Sequence, residues 1–246
     1  MIEQQSQLRV ALITGAGRGI GRAVAIALAH AGYALCLAAR SLDQLTETRS
    51  ASGLEPKQAL IVLVDLADPD APENLIRATI EHFGRLDVLI NNAGFAPPRT
   101  HLVKISSADQ DRMVSVNLRA PVALARMAAA QMTQQPDGGT IVNIASNSAR
   151  HAAAGESIYA ATKAGLVTFT RGCAAEFRHS RLRTAVVLPG LTDTSFIPHN
   201  KRLDRAAMLR PEDIAAAVLG VVNAPPHVCP LEVVVEPARD PMRALT

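Results

Sequence analysis

Tyr159 and Lys163 stand one helical turn apart in the run Ser157-Ile158-Tyr159-Ala160-Ala161-Thr162-Lys163, and on a helix that spacing points both side chains to one face. A phenol is a weak acid with a reference pKa of about 10, but a neighbouring ammonium favours the phenolate and makes the group a usable proton donor and acceptor. With an effective dielectric near 20 and a separation of ~5 Å, the attraction is ~3 kcal/mol, or roughly two pKa units. The chemistry expected of the pair is proton exchange with an alcohol or carbonyl. The same spacing also describes a solvated helix face, and the rest of the chain has to decide between them.

A second chemical feature is the turn Thr14-Gly15-Ala16-Gly17-Arg18-Gly19-Ile20-Gly21, which follows an apolar run and opens a helical stretch through Leu28. Glycines serve where a turn tightens and where backbone approaches a pyrophosphate, and the helix N-terminus behind them offers free N–H groups and a positive dipole end. Gly15, Gly17, Arg18, Gly19, Ile20 and Gly21 are therefore candidate dinucleotide contacts, against a merely structural turn. The spacing Gly15-x-x-x-Gly19-x-Gly21 differs from Gly-x-Gly-x-x-Gly. After the next apolar run comes Leu37-Ala38-Ala39-Arg40-Ser41, with no carboxylate for the ribose hydroxyls of NAD. Arg40, with Arg18, can instead clamp a 2′-phosphate, which favours NADP(H) over NAD(H); both could also be ordinary surface arginines.

Two further strand ends carry polar groups. Asp65, in Val64-Asp65-Leu66, can accept from an adenine amino group with Leu66 beside it, or cap a helix. Asn91-Asn92-Ala93-Gly94 suits a polar seam and a close backbone approach along a cofactor, with Asn91, Ala93 and Gly94 as contacts, or a simple strand-ending turn.

The elements that must position these groups are legible as alternation. Residues 8–13, 34–39, 60–64, 86–90, 140–145, 184–188 and 231–235 read as seven apolar strands, separated by amphipathic helices. Ser107-Ala108-Asp109-Gln110 reads as a capping box opening a long helix toward Met132, and Pro211-Glu212-Asp213 as the first turn of the last helix. Near-continuously apolar strands alternating with helices imply an α/β fold, a single Rossmann-type doubly wound domain spanning residues 1–246 with its parallel sheet covered on both faces. Ligands of such sheets sit beyond the carboxyl ends of the strands.

At 246 residues, with 48% hydrophobic and 19% charged residues, the chain is long enough for one large domain. Apolar runs stay below membrane-spanning length. The first residues lack a basic and apolar leader, so a cytoplasmic protein is expected. Three cysteines, Cys36, Cys173 and Cys229, show no metal or disulfide spacing. A net charge of +3 suits an anionic ligand, but scattered arginines and 3% aromatics do not describe a nucleic-acid surface.

Taken together, Thr14-Gly15-x-x-x-Gly19-x-Gly21, Asn91-Asn92-Ala93-Gly94, Asn117, Ser146, Tyr159-x-x-x-Lys163 and Pro189-Gly190 resemble, in order and spacing, the short-chain dehydrogenase/reductase family over most of the chain. The resemblance implies that Tyr159 is the acid/base, that Lys163 binds the nicotinamide ribose and lowers the tyrosine pKa, and that Ser146 orients the reacting oxygen, with Ser148 a nearby competitor. It implies that the helix of Asn117 holds a proton-relay water. Pro189, Gly190, Thr192 and Thr194 are then cofactor contacts, Thr194 toward the carboxamide, and residues 191–210 form a substrate lid. No metal is expected. A homodimer or homotetramer is implied, pairing through the helices after Ser107 and Ser157.

The C-terminal part departs from the family's Val-Asp-Gly-Gly ending and looks closer to the branch acting on 3-hydroxy acids and small carbonyls. The expected function is an NADP-dependent oxidoreductase acting on a small carbonyl or alcohol. The alternatives are a 3-oxoacyl-thioester (acyl-carrier-protein) reductase and a non-catalytic nucleotide-binding sensor. Phe95, Arg99, Arg150, His151 and Phe196 are candidates to shape the pocket, and Lys201 or Arg202 to meet a substrate carboxylate.

Overall fold

The computed structural model describes residues 8–197, 200 and 202–242. Seven parallel strands form one sheet in the order β3-β2-β1-β4-β5-β6-β7, with β1 Val10–Thr14, β2 Ala34–Ala39, β3 Ala59–Leu63, β4 Val88–Asn91, β5 Gly139–Ile144, β6 Leu182–Pro189 and β7 Glu232–Val235. All seven expected strands are present, displaced by at most two residues at an end. The first begins at Val10 because Leu8 is exposed, while every residue of Val10–Thr14 is buried.

Crossovers run through helices α1 Gly19–His30, α2 Leu42–Ser52, α3 Ala71–Phe83, α4 Ser107–Val114, α5 Ala120–Met132, α6 Ser157–Glu176 and α7 Pro211–Val222. Because strand side chains alternate between faces, Ala11 and Ile13 pack with α1 and α7, whereas Leu12 and Leu89 pack with α3 and α5. The result is a three-layer Rossmann-like sandwich. Its strand order reverses between β1 and β4, where a crevice opens at the carboxyl ends.

The long helix expected from Ser107 to Met132 is interrupted. Residues Ser115–Arg119 form a π-turn between α4 and α5, an irregularity that periodicity does not disclose and that is frequent at functional sites. Its cap also sits one residue earlier than expected: Ser106 Oγ accepts from Asp109 N at 3.0 Å and donates to Asp109 Oδ2 at 2.8 Å. Adjacent serines make that register ambiguous in sequence. The last helix starts at Pro211 as expected, with Arg210 N donating to Asp213 Oδ2 at 2.7 Å.

Candidate active site

The carboxyl ends of the strands surround a cavity of about 1700 Å³ that runs from Arg40 and Asp65 at one end to Tyr159, Phe196 and the C-terminal segment at the other. The glycine turn forms its floor. Gly15 has φ +67°, a conformation L side chains rarely adopt. A Cβ on Gly21 would collide with the Gly15 carbonyl oxygen and the Asn92 amide. Gly21 therefore packs helix on strand beneath the cavity, while Gly15, Gly17, Arg18, Gly19 and Ile20 line it. Asn92 ties the turn to the end of β4, its amide donating to Thr14 O at 2.9 Å and Gly15 O at 3.2 Å.

At the far end Arg40 lines the cavity, exposed, with no hydrogen bond or ion pair among the described residues, and Arg18 is likewise uncommitted. No acid follows β2. A bare glycine cradle, two guanidinium groups without a hydrogen bond or ion pair among the described residues, and a long channel fit a dinucleotide carrying an extra phosphate. Asp65 is less free than expected. Arg112 donates to both its oxygens, at 3.1 and 2.8 Å, and Ala67 N donates at 3.0 Å. Desolvation opposes ionisation there, but these bonds and the field of Arg40 hold the carboxyl below its ordinary range. The acid caps a turn at Ala67 and no helix. Leu66, buried beside it, lines the cavity.

Asn91 departs from its expected place. It is 2% exposed and off the cavity wall, donating to Asn143 Oδ1 at 2.9 Å and Pro121 O at 3.2 Å. A residue at the last position of β4 alternates inward, so it is Asn92, Ala93 and Gly94 that reach the cavity. Asn117, fully buried on the π-turn, also stands behind the wall. Its side chain accepts from Phe95 N at 2.7 Å and donates to Phe95 O at 2.8 Å, fixing the loop that follows β4.

The reactive cluster gathers after β5. Ser146, Tyr159 and Lys163 all line the cavity. The two serines differ in their partners: Ser148 Oγ donates to Glu156 Oε2 at 3.2 Å, whereas Ser146 stands beside the Tyr159 phenol and acts to lower its pKa. Lys163 is 4% exposed, donates to Ile144 O at 2.9 Å, and lies 5.9 Å from the centre of the Tyr159 ring.

Within the protein's own groups, burial acts on the phenol against the lowering that the resemblance implies. Desolvation pushes Tyr159 up to about 12, with the Ser146 hydroxyl opposing and Glu156 adding to the rise. Burial lowers Lys163 to about 8. Loss of water penalises the charged form of both groups.

Pro189 at the end of β6 and Gly190, Thr192 and Thr194 after it line the cavity, Thr194 so close to Gly19 that a Cβ there would crowd its methyl group at 3.2 Å. Phe95, Arg99, His151 and Phe196 are wall residues, Phe196 with its ring centre 6.1 Å from that of Tyr159. Arg150 is not; it pairs with Glu232 at 2.8 Å. Arg202 is exposed and off the wall, and Lys201 lies outside the described residues.

The sequence reading missed Glu156, Glu236 and Arg239. Glu236 directly follows β7, so the rule that functional residues stand just after strands could have found it. The segment it begins lines the cavity and joins residues 203–204, with Asp204 N donating to Pro241 O at 2.8 Å and Leu203 bridging Met242.

The sequence model of the short chain dehydrogenase family matches residues 9–204. The chain belongs to that family. An uncharacterized oxidoreductase of Staphylococcus aureus is 33% identical over 229 residues, 93% of this chain and 97% of that protein. Among solved structures, a short chain dehydrogenase from Burkholderia cenocepacia in complex with NADP is 30% identical with a TM-score of 0.83, covering 93% of this chain and 96% of that one. The closed form of serine dehydrogenase complexed with NADP+ gives 25% identity and a TM-score of 0.84 over 96% and 98%. This short chain dehydrogenase is thus an oxidoreductase with the Rossmann-like fold its strand alternation anticipated. None of its described helices is long and apolar enough to cross a membrane.

Proposed function

We propose that the chain is an NADP(H)-dependent oxidoreductase that interconverts a small carbonyl compound and its alcohol, with Tyr159 as the acid/base. The observation that carries this reading is the convergence of Ser146, Tyr159 and Lys163 on a cavity whose other end presents the unpaired Arg18 and Arg40. The NADP complexes of its structural relatives support the cofactor.

When bound, the dinucleotide supplies or accepts the hydride. Arg40 and Arg18 would hold its 2′-phosphate by charge-assisted forks, and the glycine turn and the N-terminus of α1 would receive its pyrophosphate. Ser146 donates to the substrate oxygen and orients it. Tyr159, protonated at neutral pH, transfers its proton to that oxygen as the carbonyl π bond opens, and recovers one from solvent; alcohol oxidation runs the same path backwards. Lys163, buried beside the phenol, steadies the negative charge that forms there. Asn117 fixes the loop carrying Phe95, which with Phe196 shields the site from water. The whole chain acts as one domain, with residues 191–210 as its lid, and assembles as a homodimer or homotetramer.

A panel of small ketones, aldehydes and alcohols assayed with NADPH and NADH tests the reading. Reduction of at least one carbonyl class with NADPH strongly preferred is expected. Turnover confined to acyl-carrier thioesters moves the assignment to thioester reduction, and cofactor binding without any turnover leaves a nucleotide sensor.

A further inference from the structure

We propose that Arg99, aimed by Glu156, anchors a substrate carboxylate, so that the carbonyl compound reduced at Tyr159 is a short oxo acid and its product the hydroxy acid. The proposal rests on the oxidoreductase reading above and names its substrate class. The carboxylate is held and not altered; the carbonyl carbon gains a hydride from NADPH and its oxygen a proton from Tyr159.

Glu156 immediately precedes α6, one turn before Tyr159, and its side chain is only 18% exposed. One oxygen accepts from Arg99 Nε at 2.6 Å and the other from Ser148 Oγ at 3.2 Å. A mostly buried acid pinned on both oxygens is a firm support for a guanidinium. Arg99 itself is 62% exposed on the cavity wall. Its contact with Glu156 uses the Nε edge alone, so both terminal amino groups have no protein partner among the described residues. That pair of nitrogens is the fork that matches a carboxylate in two parallel hydrogen bonds.

The loop carrying Arg99 is held at both ends. Asn117 grips Phe95 through its N–H and carbonyl, and Thr100 N donates to Gly155 O at 3.3 Å. A fork presented without further ordering binds its anion at lower entropic cost. Other arginines on the walls are differently engaged. Arg112 turns a terminal nitrogen to both oxygens of Asp65, and Arg18 and Arg40 stand at the opposite end of the cavity. Arg239, on the C-terminal segment, lines the cavity without a buried acid to aim it, which makes it the natural control.

The test is the ratio of kcat/KM for three- to five-carbon 2- and 3-oxo acids over that for their ethyl esters, with NADPH, together with calorimetric binding of the hydroxy acids to the protein. The wild type is expected to prefer the acid in at least one pair. Arg99→Met should lower that ratio about 100-fold and remove hydroxy-acid binding. Arg99→Lys should recover part of the ratio, because the charge returns without the fork. Glu156→Gln should lower the ratio about tenfold and move the pH profile of turnover to lower pH, since its field holds the phenol up. A wild type that reduces the esters and does not favour any acid, a ratio unmoved by Arg99→Met, or a loss that follows Arg239→Met instead overturns the anchor while leaving the oxidoreductase reading in place. Absence of all carbonyl reduction overturns that reading itself.

Discussion

Lys163 Nζ lies 5.9 Å from the centre of the Tyr159 ring, yet burial is the largest influence on the titration of each group. Between about pH 8 and 10.5 the folded chain binds fewer protons at Lys163 than the unfolded chain does, so its contribution to stability rises with pH across that window. Between about pH 10 and 12 the folded chain keeps the Tyr159 proton that the unfolded chain releases, and that contribution falls as pH rises. Denaturation of the cofactor-free protein should show the rise, and Lys163→Met should flatten it and add about 2 kcal/mol at pH 7. A wild-type profile already flat from pH 8 to 10 argues against a buried lysine. Tyr159→Phe is expected to cut turnover by about 10³-fold or more while NADPH still binds, read from nicotinamide fluorescence in a chain without tryptophan. Arg40→Asp should lower the NADPH-over-NADH ratio of kcat/KM about 100-fold, because a guanidinium on a phosphate becomes a repelling carboxylate.

The turn between β1 and α1 and the turn within the α4–α5 stretch differ in how openly the sequence declares them. The first is written in glycines, and Gly21→Ala should cost about 3 kcal/mol by driving a methyl into the Gly15 carbonyl and the Asn92 amide, measured as a lower urea midpoint with weakened cofactor binding. Stability unchanged by that substitution contradicts the close approach. The π-turn at Ser115–Arg119 has no such signature, since an extra residue per turn leaves the apolar pattern on either side nearly intact. What betrays it is Asn117, a buried amide that a straight helix would not place against the Phe95 backbone. Strand ends behave similarly. The apolar run ending in Asn91-Asn92 located β4, but which amide faced the cavity depended on where the strand's alternation stopped.

Over the whole molecule the sheet leaves β7 as an edge strand with Val234 39% exposed, and Val114 at the end of α4 is 42% exposed. Apolar groups at these places suit burial between copies, and light scattering is expected to give two or four times the 26.0 kDa chain mass. A monodisperse monomer contradicts it. By itself the sequence determined what local neighbours dictate: the alternation of apolar strands and helices, the glycine turn, the missing acid after β2, and the one-turn spacing of Tyr159 and Lys163. These depend on residues a few positions apart. The tertiary structure alone decided which charges are paired and which are free among the described residues: Asp65 taken by Arg112, Ser148 by Glu156, Arg99 left with an open fork, and residues 236–242 laid against Leu203 and Asp204. Each of those pairs joins chain segments that only packing brings together, and the water lost in that packing sets the protonation of Tyr159 and Lys163.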